Sequence, residues 1–155
     1  MKEPGEILTR DIMQPNVICV APDTSLAEVR DLFIRHRISG APVVDEDGLA
    51  GVISMTDIVR SALSKDSDEY PENTFFVGLP PMYGGELGTL KEQLEDKIVE
   101  DAMTTDVYTV SPDDRLSVVA VTMRHHKIHR VIVTEGRKVV GIVSALDLIQ
   151  VLENH

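Results

Sequence analysis

The sequence predicts a mixed α/β protein of the α+β kind: two β-α-β-β-α units packed through their sheets about a pseudo-twofold axis. Three observations predict it. Residues 11–60 align with 101–150 without a gap, and 14 of the 50 positions are identical. Within each copy, runs with apolar residues three and four apart alternate with short β-branched runs, the two periods that mark helix and strand. Polar, glycine-containing turns stand between the paired β-branched runs, as hairpins require.

Each copy has the same plan in order. A short helical turn ends at Met13 or Met103, and a brief strand follows, VICV at 17–20 or VYTV at 107–110. A Pro-Asp turn opens a helix. Its apolar face is Leu26, Val29, Leu32 and Phe33 in copy one, and Leu116, Val119, Ala120 and Met123 in copy two. Two strands then form a hairpin: APVVD, Glu46-Asp47-Gly48, LAGVIS; and RVIVT, Glu135-Gly136-Arg137, VVGIVS. A final helix starts after Ser54 or Ser144. Neither copy has surface enough to cover both faces of so small a sheet, which is why pairing is expected. The resulting organisation is repeat one at 6–60, an insert at 61–95 and repeat two at 96–152.

The insert has its own composition. It holds Tyr70, Phe75, Phe76 and Tyr83, four of the six aromatics, and carries a net charge of −5. PENTFFVGLPPMYGGELG reads as loop, and a short helix at about 89–101 leads into copy two. Phe75 and Phe76 are expected to be covered, either by the chain's own helices or by a second copy. An acidic flap repels phosphates, so the insert is expected to pack away from His129 and Arg130.

The formal net charge is −11, which disfavours broad binding to nucleic acid or to an anionic membrane surface. No apolar run is long enough for a membrane span, and MKEPGEILTRDIM lacks the apolar core of a signal peptide. A cytoplasmic location is expected. The one cysteine, Cys19, excludes an internal disulfide and is expected as a small core residue inside VICV. No catalytic motif is present, and no acid–histidine spacing recurs in both copies, so neither an enzyme nor a metal site is expected.

The strongest chemical signal is Gly-apolar-apolar-Ser-x-x-Asp, found as GVISMTD at 51–57 and GIVSALD at 141–147. Ser-x-x-Asp before an apolar helix is a capping box. The same junction of strand end and helix start also offers backbone N–H groups, a positive helix end and a carboxylate able to hold two vicinal hydroxyls, the set a nucleotide needs. Ser54, Asp57, Ser144 and Asp147 are therefore candidates for both roles. The second signal is a basic island, Arg124-His125-His126-Lys127-Ile128-His129-Arg130, in an acidic chain. Cations at a helix C-terminus are favourable by themselves. His129 and Arg130 lie past the helix at the mouth of a strand, where a phosphate could meet them. Their copy-one counterparts, Ser39 and Gly40, carry no charge, so the two sites are not equivalent.

These stretches, SGAPVVD followed by GVISMTD above all, resemble the CBS domain (cystathionine-β-synthase domain) family, and the tandem pair looks like its Bateman module. The resemblance covers about 100 of the 155 residues and leaves the insert outside. It implies two clefts, each mixing the Ser-x-x-Asp of one repeat with the first strand and pre-hairpin segment of the other. One cleft would hold Ser144 and Asp147 on the ribose and phosphate side, with Ile18, Ile38, Ser39 and Ala41 around the base and Ile142 nearby. The other would combine Ser54 and Asp57 with Tyr108, Ile128 and His129. His129 and Arg130 match the family's frequent phosphate-reaching pair.

The function implied is a non-catalytic regulatory module that binds AMP, ADP or ATP, with Mg2+ accompanying the nucleotide and no cofactor required. It would form a homodimer, stand alone and act on an unknown partner protein in trans. Two alternatives stay open: a structural or protein-interaction pair with vestigial clefts, and a module for S-adenosylmethionine or NAD.

Overall fold

The computed structural model describes residues 2–63, 74–77 and 94–154. In chain order the elements are a 3-10 turn Pro4–Glu6, α1 Thr9–Ile12, α2 Leu26–His36, β1 Gly40–Asp45, β2 Gly48–Ser54, α3 Met55–Leu63, α4 Thr74–Val77, α5 Val99–Ala102, β3 Thr109–Val110, α6 Leu116–His126, β4 Arg130–Glu135, β5 Lys138–Ser144 and α7 Ala145–Glu153. They fall into two compact units. One gathers residues 18–63, 74–75 and 94–106, the body of copy one; the other gathers 2–17, 76–77 and 107–154, the body of copy two.

The units do not coincide with the sequence repeats, because the opening turn of each copy packs on the body of the other copy. In the copy-one body, Val52 and Thr104 exchange backbone hydrogen bonds of 2.9 Å, and the Val99 N–H donates to the Thr24 carbonyl at 2.9 Å. In the copy-two body, Gln14 and Ile142 exchange bonds of 2.8 and 3.1 Å, and the Thr9 N–H donates to the Asp114 carbonyl at 2.9 Å. The identities Met13/Met103 and Gly51/Gly141 are the packing of this exchange. A Cβ on Gly51 would stand 2.6 Å from the Thr104 carbonyl oxygen and 3.3 Å from the Met103 sulfur; one on Gly141 would stand 2.7 Å from the Met13 sulfur.

Each body is built alike. In copy one, the Ser25 hydroxyl accepts the Glu28 N–H and starts α2. Leu26, Val29 and Phe33 leave no side-chain surface exposed and form a core with Val43, Ile53, Ile58, Leu94 and Val99. Burial of one such side chain stabilises by roughly 1.5–3 kcal/mol. Helices α2 and α6 both end on a residue in the left-handed region, Arg37 at φ 54° and Lys127 at φ 56°. That reversal lets the next residue fold back, so Ile38 donates to the Phe33 carbonyl at 3.0 Å and Ile128 to the Met123 carbonyl at 2.9 Å. The hairpins follow at once, β1 with β2 and β4 with β5, both antiparallel, each with a register shift at its middle. Gly136 at φ 59° makes the second turn.

The first strand of each copy is shorter than its apolar run. Within 17–20, Val20 makes a single parallel bridge to Val43, and no strand forms over these described residues. Of 107–110, only Thr109 and Val110 form a strand, parallel to β4. Cys19 is exposed rather than buried, because the chain around it is not a ladder-bonded core strand; what burial its thiol has pushes its pKa up. The expected helix at about 89–101 is interrupted: Leu94 is helical, a turn follows at 95–96, and Val99–Ala102 is a separate short helix; residues 89–93 lie outside the described residues.

Residues 74–77 form one helical turn where the sequence reads as loop. Phe75 and Phe76 are indeed covered, at 1% and 0% exposure. The expectation that the insert packs away from His129 is overturned. The Phe76 carbonyl accepts the His129 N–H at 2.6 Å, and the Phe76 ring stands edge-on to Tyr108, 4.9 Å between centroids. The repulsion argument fails because Thr74–Val77 has no charged side chain; the acids of the insert lie elsewhere along it. Tyr70 and Tyr83 lie outside the described residues.

Candidate functional site

In the copy-two body, the end of the β4–β5 hairpin gathers most of the candidates. Arg130 and Ser144 are direct partners in the antiparallel register. Ala145 donates its N–H to the His129 carbonyl at 2.8 Å, which ties the start of α7 to the start of β4. The Ser144 hydroxyl accepts the Asp147 N–H at 3.2 Å, and Asp147 Oδ2 accepts the Ser144 N–H at 2.8 Å. The capping box is therefore closed. The second carboxylate oxygen of Asp147 lies 3.5 Å from Gln14 Nε2, a long contact that leaves it acceptor capacity. Ser144 and Asp147 are both half-buried, accessible from one side.

Arg130 is half-buried, and burial pushes its guanidinium down to about 10. At neutral pH it stays charged. His129 is exposed beside it, and Tyr108 stands half-buried between Phe76 and His126, 4.5 Å from the His126 ring centroid. Ile128 is buried and Ile142 half-buried. A groove of about 440 Å³ opens along Met123, Ile128, His129, Ala145 and Leu148.

The copy-one body repeats the geometry with different chemistry. Gly40 faces Ser54 in register, and Met55 donates to the Ser39 carbonyl at 2.8 Å. Ser54 and Asp57 close the same box, at 3.2 and 2.8 Å, but they are 2% and 5% exposed. Asp57 Oδ1 accepts from Arg60 at 3.2 Å. Burial raises the Asp57 pKa; the Ser54 N–H and hydroxyl and the Arg60 charge oppose it. Ile38 and Ser39 are half-buried, Ile18 likewise, and the Ala41 side chain sits in the core of this body.

The structure thus brings Tyr108, Ile128, His129, Arg130, Ile142, Ser144 and Asp147 into one body, and Ile18, Ile38, Ser39, Ala41, Ser54 and Asp57 into the other. Sequence reasoning missed three contacts on these residues: Arg60 on Asp57, Gln14 on Asp147 and Phe76 on Tyr108 and His129. Spacing of three on a helix signals Arg60. An aromatic pair in a polar insert signals that Phe76 is buried but not where. Gln14 has no sequence signal. Among the described residues no group of three His, Cys, Asp or Glu could hold a metal, and no helix is long and apolar enough to cross a membrane.

Two pseudo-equivalent α+β bodies, each with a closed Ser-x-x-Asp box at the base of a hairpin, define a paired-repeat protein. The CBS domain profile matches residues 9–64 and 99–154. The chain belongs to the CBS domain family and carries two of its repeats. It is 34% identical over 157 residues to the uncharacterized protein MJ1426 of Methanocaldococcus jannaschii, covering 96% of this chain and 93% of that protein. It is 30% identical to the uncharacterized protein MJ1225 of the same organism, over 92% of this chain but only 42% of that longer protein. Among solved structures it resembles the CBS domain pair of protein MJ0100 in complex with 5′-methylthioadenosine and S-adenosyl-L-methionine. The TM-score is 0.65 and the identity 27%, over 96% of this chain and 97% of that one.

Proposed function

We propose that this CBS pair is a non-catalytic regulatory module that binds adenine nucleotides (AMP, ADP or ATP, the last with Mg2+) in the cytoplasm and acts on a partner protein in trans as a homodimer. The observation that carries the reading is the end of the β4–β5 hairpin. A half-buried cation, Arg130, is the register partner of Ser144, and the half-buried carboxylate of Asp147 starts the helix beside them. A phosphate can pair with the charge of the first and a ribose diol can bond to the last. An adenosyl ligand is further supported by the MJ0100 pair, whose complex contains two adenosyl compounds.

The same relative favours a second reading, an adenosyl sulfur compound without phosphate. The two readings separate on Arg130. Thermal shifts against AMP, ATP, adenosine, S-adenosylmethionine and NAD measure the stabilisation RT ln(1 + [L]/Kd), about 2.7 kcal/mol at one hundred times Kd. Under the nucleotide reading, Arg130→Ala weakens AMP and ATP far more than adenosine. Asp147→Ala weakens all of them by roughly 10- to 150-fold, the loss of one charge-assisted hydrogen bond. Unchanged affinity with a lowered melting point in Asp147→Ala would leave that residue a cap and nothing more.

The homodimer rests on exposed apolar side chains of α6 and α7: Val118, Val121, Leu146, Ile149 and Leu152. A patch of this kind on two adjacent helices is costly in water and fits a second copy.

A further inference from the structure

In the copy-two body, two residues that the family resemblance places in an adenosyl cleft, Tyr108 and His129, are already engaged. Tyr108 offers an aromatic surface and the His129 main chain offers an N–H donor. The ring of Phe76 stands edge-on to Tyr108 at 4.9 Å, and the Phe76 carbonyl takes the His129 N–H at 2.6 Å. An aromatic ring plus a hydrogen-bond acceptor is the pair of features by which a purine is recognised: a π face for stacking and a ring nitrogen that accepts. Phe76 is fully buried, so these contacts are not the passing touch of a surface residue. Thr74–Val77 comes from the insert, outside both segments that the family profile matches.

We propose that Phe76 is a built-in occupant of the copy-two base site, and that an adenosyl ligand entering between Tyr108 and His129 must displace it. The inference rests on the adenosyl reading above and names its regulation. One N–H cannot serve two well-aligned acceptors at full strength, and a purine that takes the side of Tyr108 covered by Phe76 displaces that ring. Ligand binding and the docking of Thr74–Val77 are then mutually exclusive, and the free energy of docking lowers apparent affinity by the fraction of chains in which the site is open. Occupancy becomes visible on the surface, because a segment bearing two large aromatic residues changes place. The partner protein can sense the ligand through that segment without touching it.

The test is calorimetry of adenosine and AMP with the wild-type chain, Phe76→Ala and Phe76→Leu, with limited chymotrypsin digestion of the wild-type chain. Chymotrypsin cuts after phenylalanine. The leucine variant keeps apolar volume and so guards against loss of the fold in the alanine variant, and the digestion needs no variant. The expected result is adenosine affinity about tenfold higher in Phe76→Ala, equivalent to about 1.4 kcal/mol, with a smaller gain in Phe76→Leu. Saturating adenosine should speed cleavage after Phe75 or Phe76. Affinity that is equal or lower in both variants, or protection of those bonds by adenosine, would make Phe76 a wall of the site or a core residue and overturn the inference. Binding that ignores Phe76 removes this inference alone. Folded wild-type and variant chains that bind neither ligand remove the adenosyl reading and this inference together.

Discussion

Gly51 has no room for a methyl group: the nearest atom is the backbone oxygen of Thr104, which itself holds the Val52 N–H at 2.9 Å. At Gly141 the crowding atoms all belong to the Met13 side chain, which can turn aside. Gly51→Ala is therefore expected to cost about 1–3 kcal/mol, the usual range for forcing a carbon into a packed site. Gly141→Ala should cost about 1 kcal/mol or less, part of it offset by the lower entropy of the unfolded chain. Urea denaturation of both variants measures the difference, and equal losses would show that the two opening turns yield alike. A second residue-scale consequence concerns Asp57. Burial raises its folded pKa above the unfolded value, so between the two values the native state holds the proton more tightly. Stability from this group is present at low pH and falls as pH rises through the folded pKa. Wild type should lose stability relative to Asp57→Asn across that window and run parallel above it. Curves parallel at every pH would mean that Ser54 and Arg60 cancel the burial.

Helices α3 and α7 begin on the same Ser-x-x-Asp box yet meet opposite surroundings. Ile58 and Val59 are buried, and Leu94 joins them in the core; the residue that matches Leu94 in the other copy is Pro4, which is exposed. Helix α7 has no buried residue, and Leu146 and Ile149 are 74% and 52% exposed. Leu146→Glu with Ile149→Glu should convert a dimer to monomer in sedimentation experiments. The monomer's melting point should hardly move, since exposed side chains seldom contribute more than about 0.5 kcal/mol. The same mass for wild type and variant would remove this face from the interface. At this scale much was legible. The hairpins, both boxes and helices α2 and α6 are local patterns, and local chemistry sets them. The strands at 17–20 and 107–110 were overestimated because an apolar run records burial preference, not ladder partners. Cys19 sits in such a run and is exposed.

For the whole chain, the offset of 90 residues announces two equivalent bodies, but it is silent on which opening turn serves which body. Met13 and Met103 are identical residues at matching positions of the two copies, so the motif alone does not say which lies on which glycine, and only the fold distinguishes them. The candidate residues were legible by type and motif. The engagement of Tyr108 and His129 by Phe76 was not, since no period or spacing links position 76 to 108 or 129. The exchanged turns carry a consequence for how either copy folds alone. A lone repeat of this kind closes only by lending its turn to a neighbour and borrowing one back, so it is a domain-swapped dimer before it is anything else. In the present chain both partners of that exchange lie on one polypeptide. Cutting it in the insert should then yield two fragments, 1–63 and 94–155, that remain unfolded singly and fold on mixing, as circular dichroism of each and of the mixture would report. A fragment that folded unaided would mean that its own turn can fold back onto its own body.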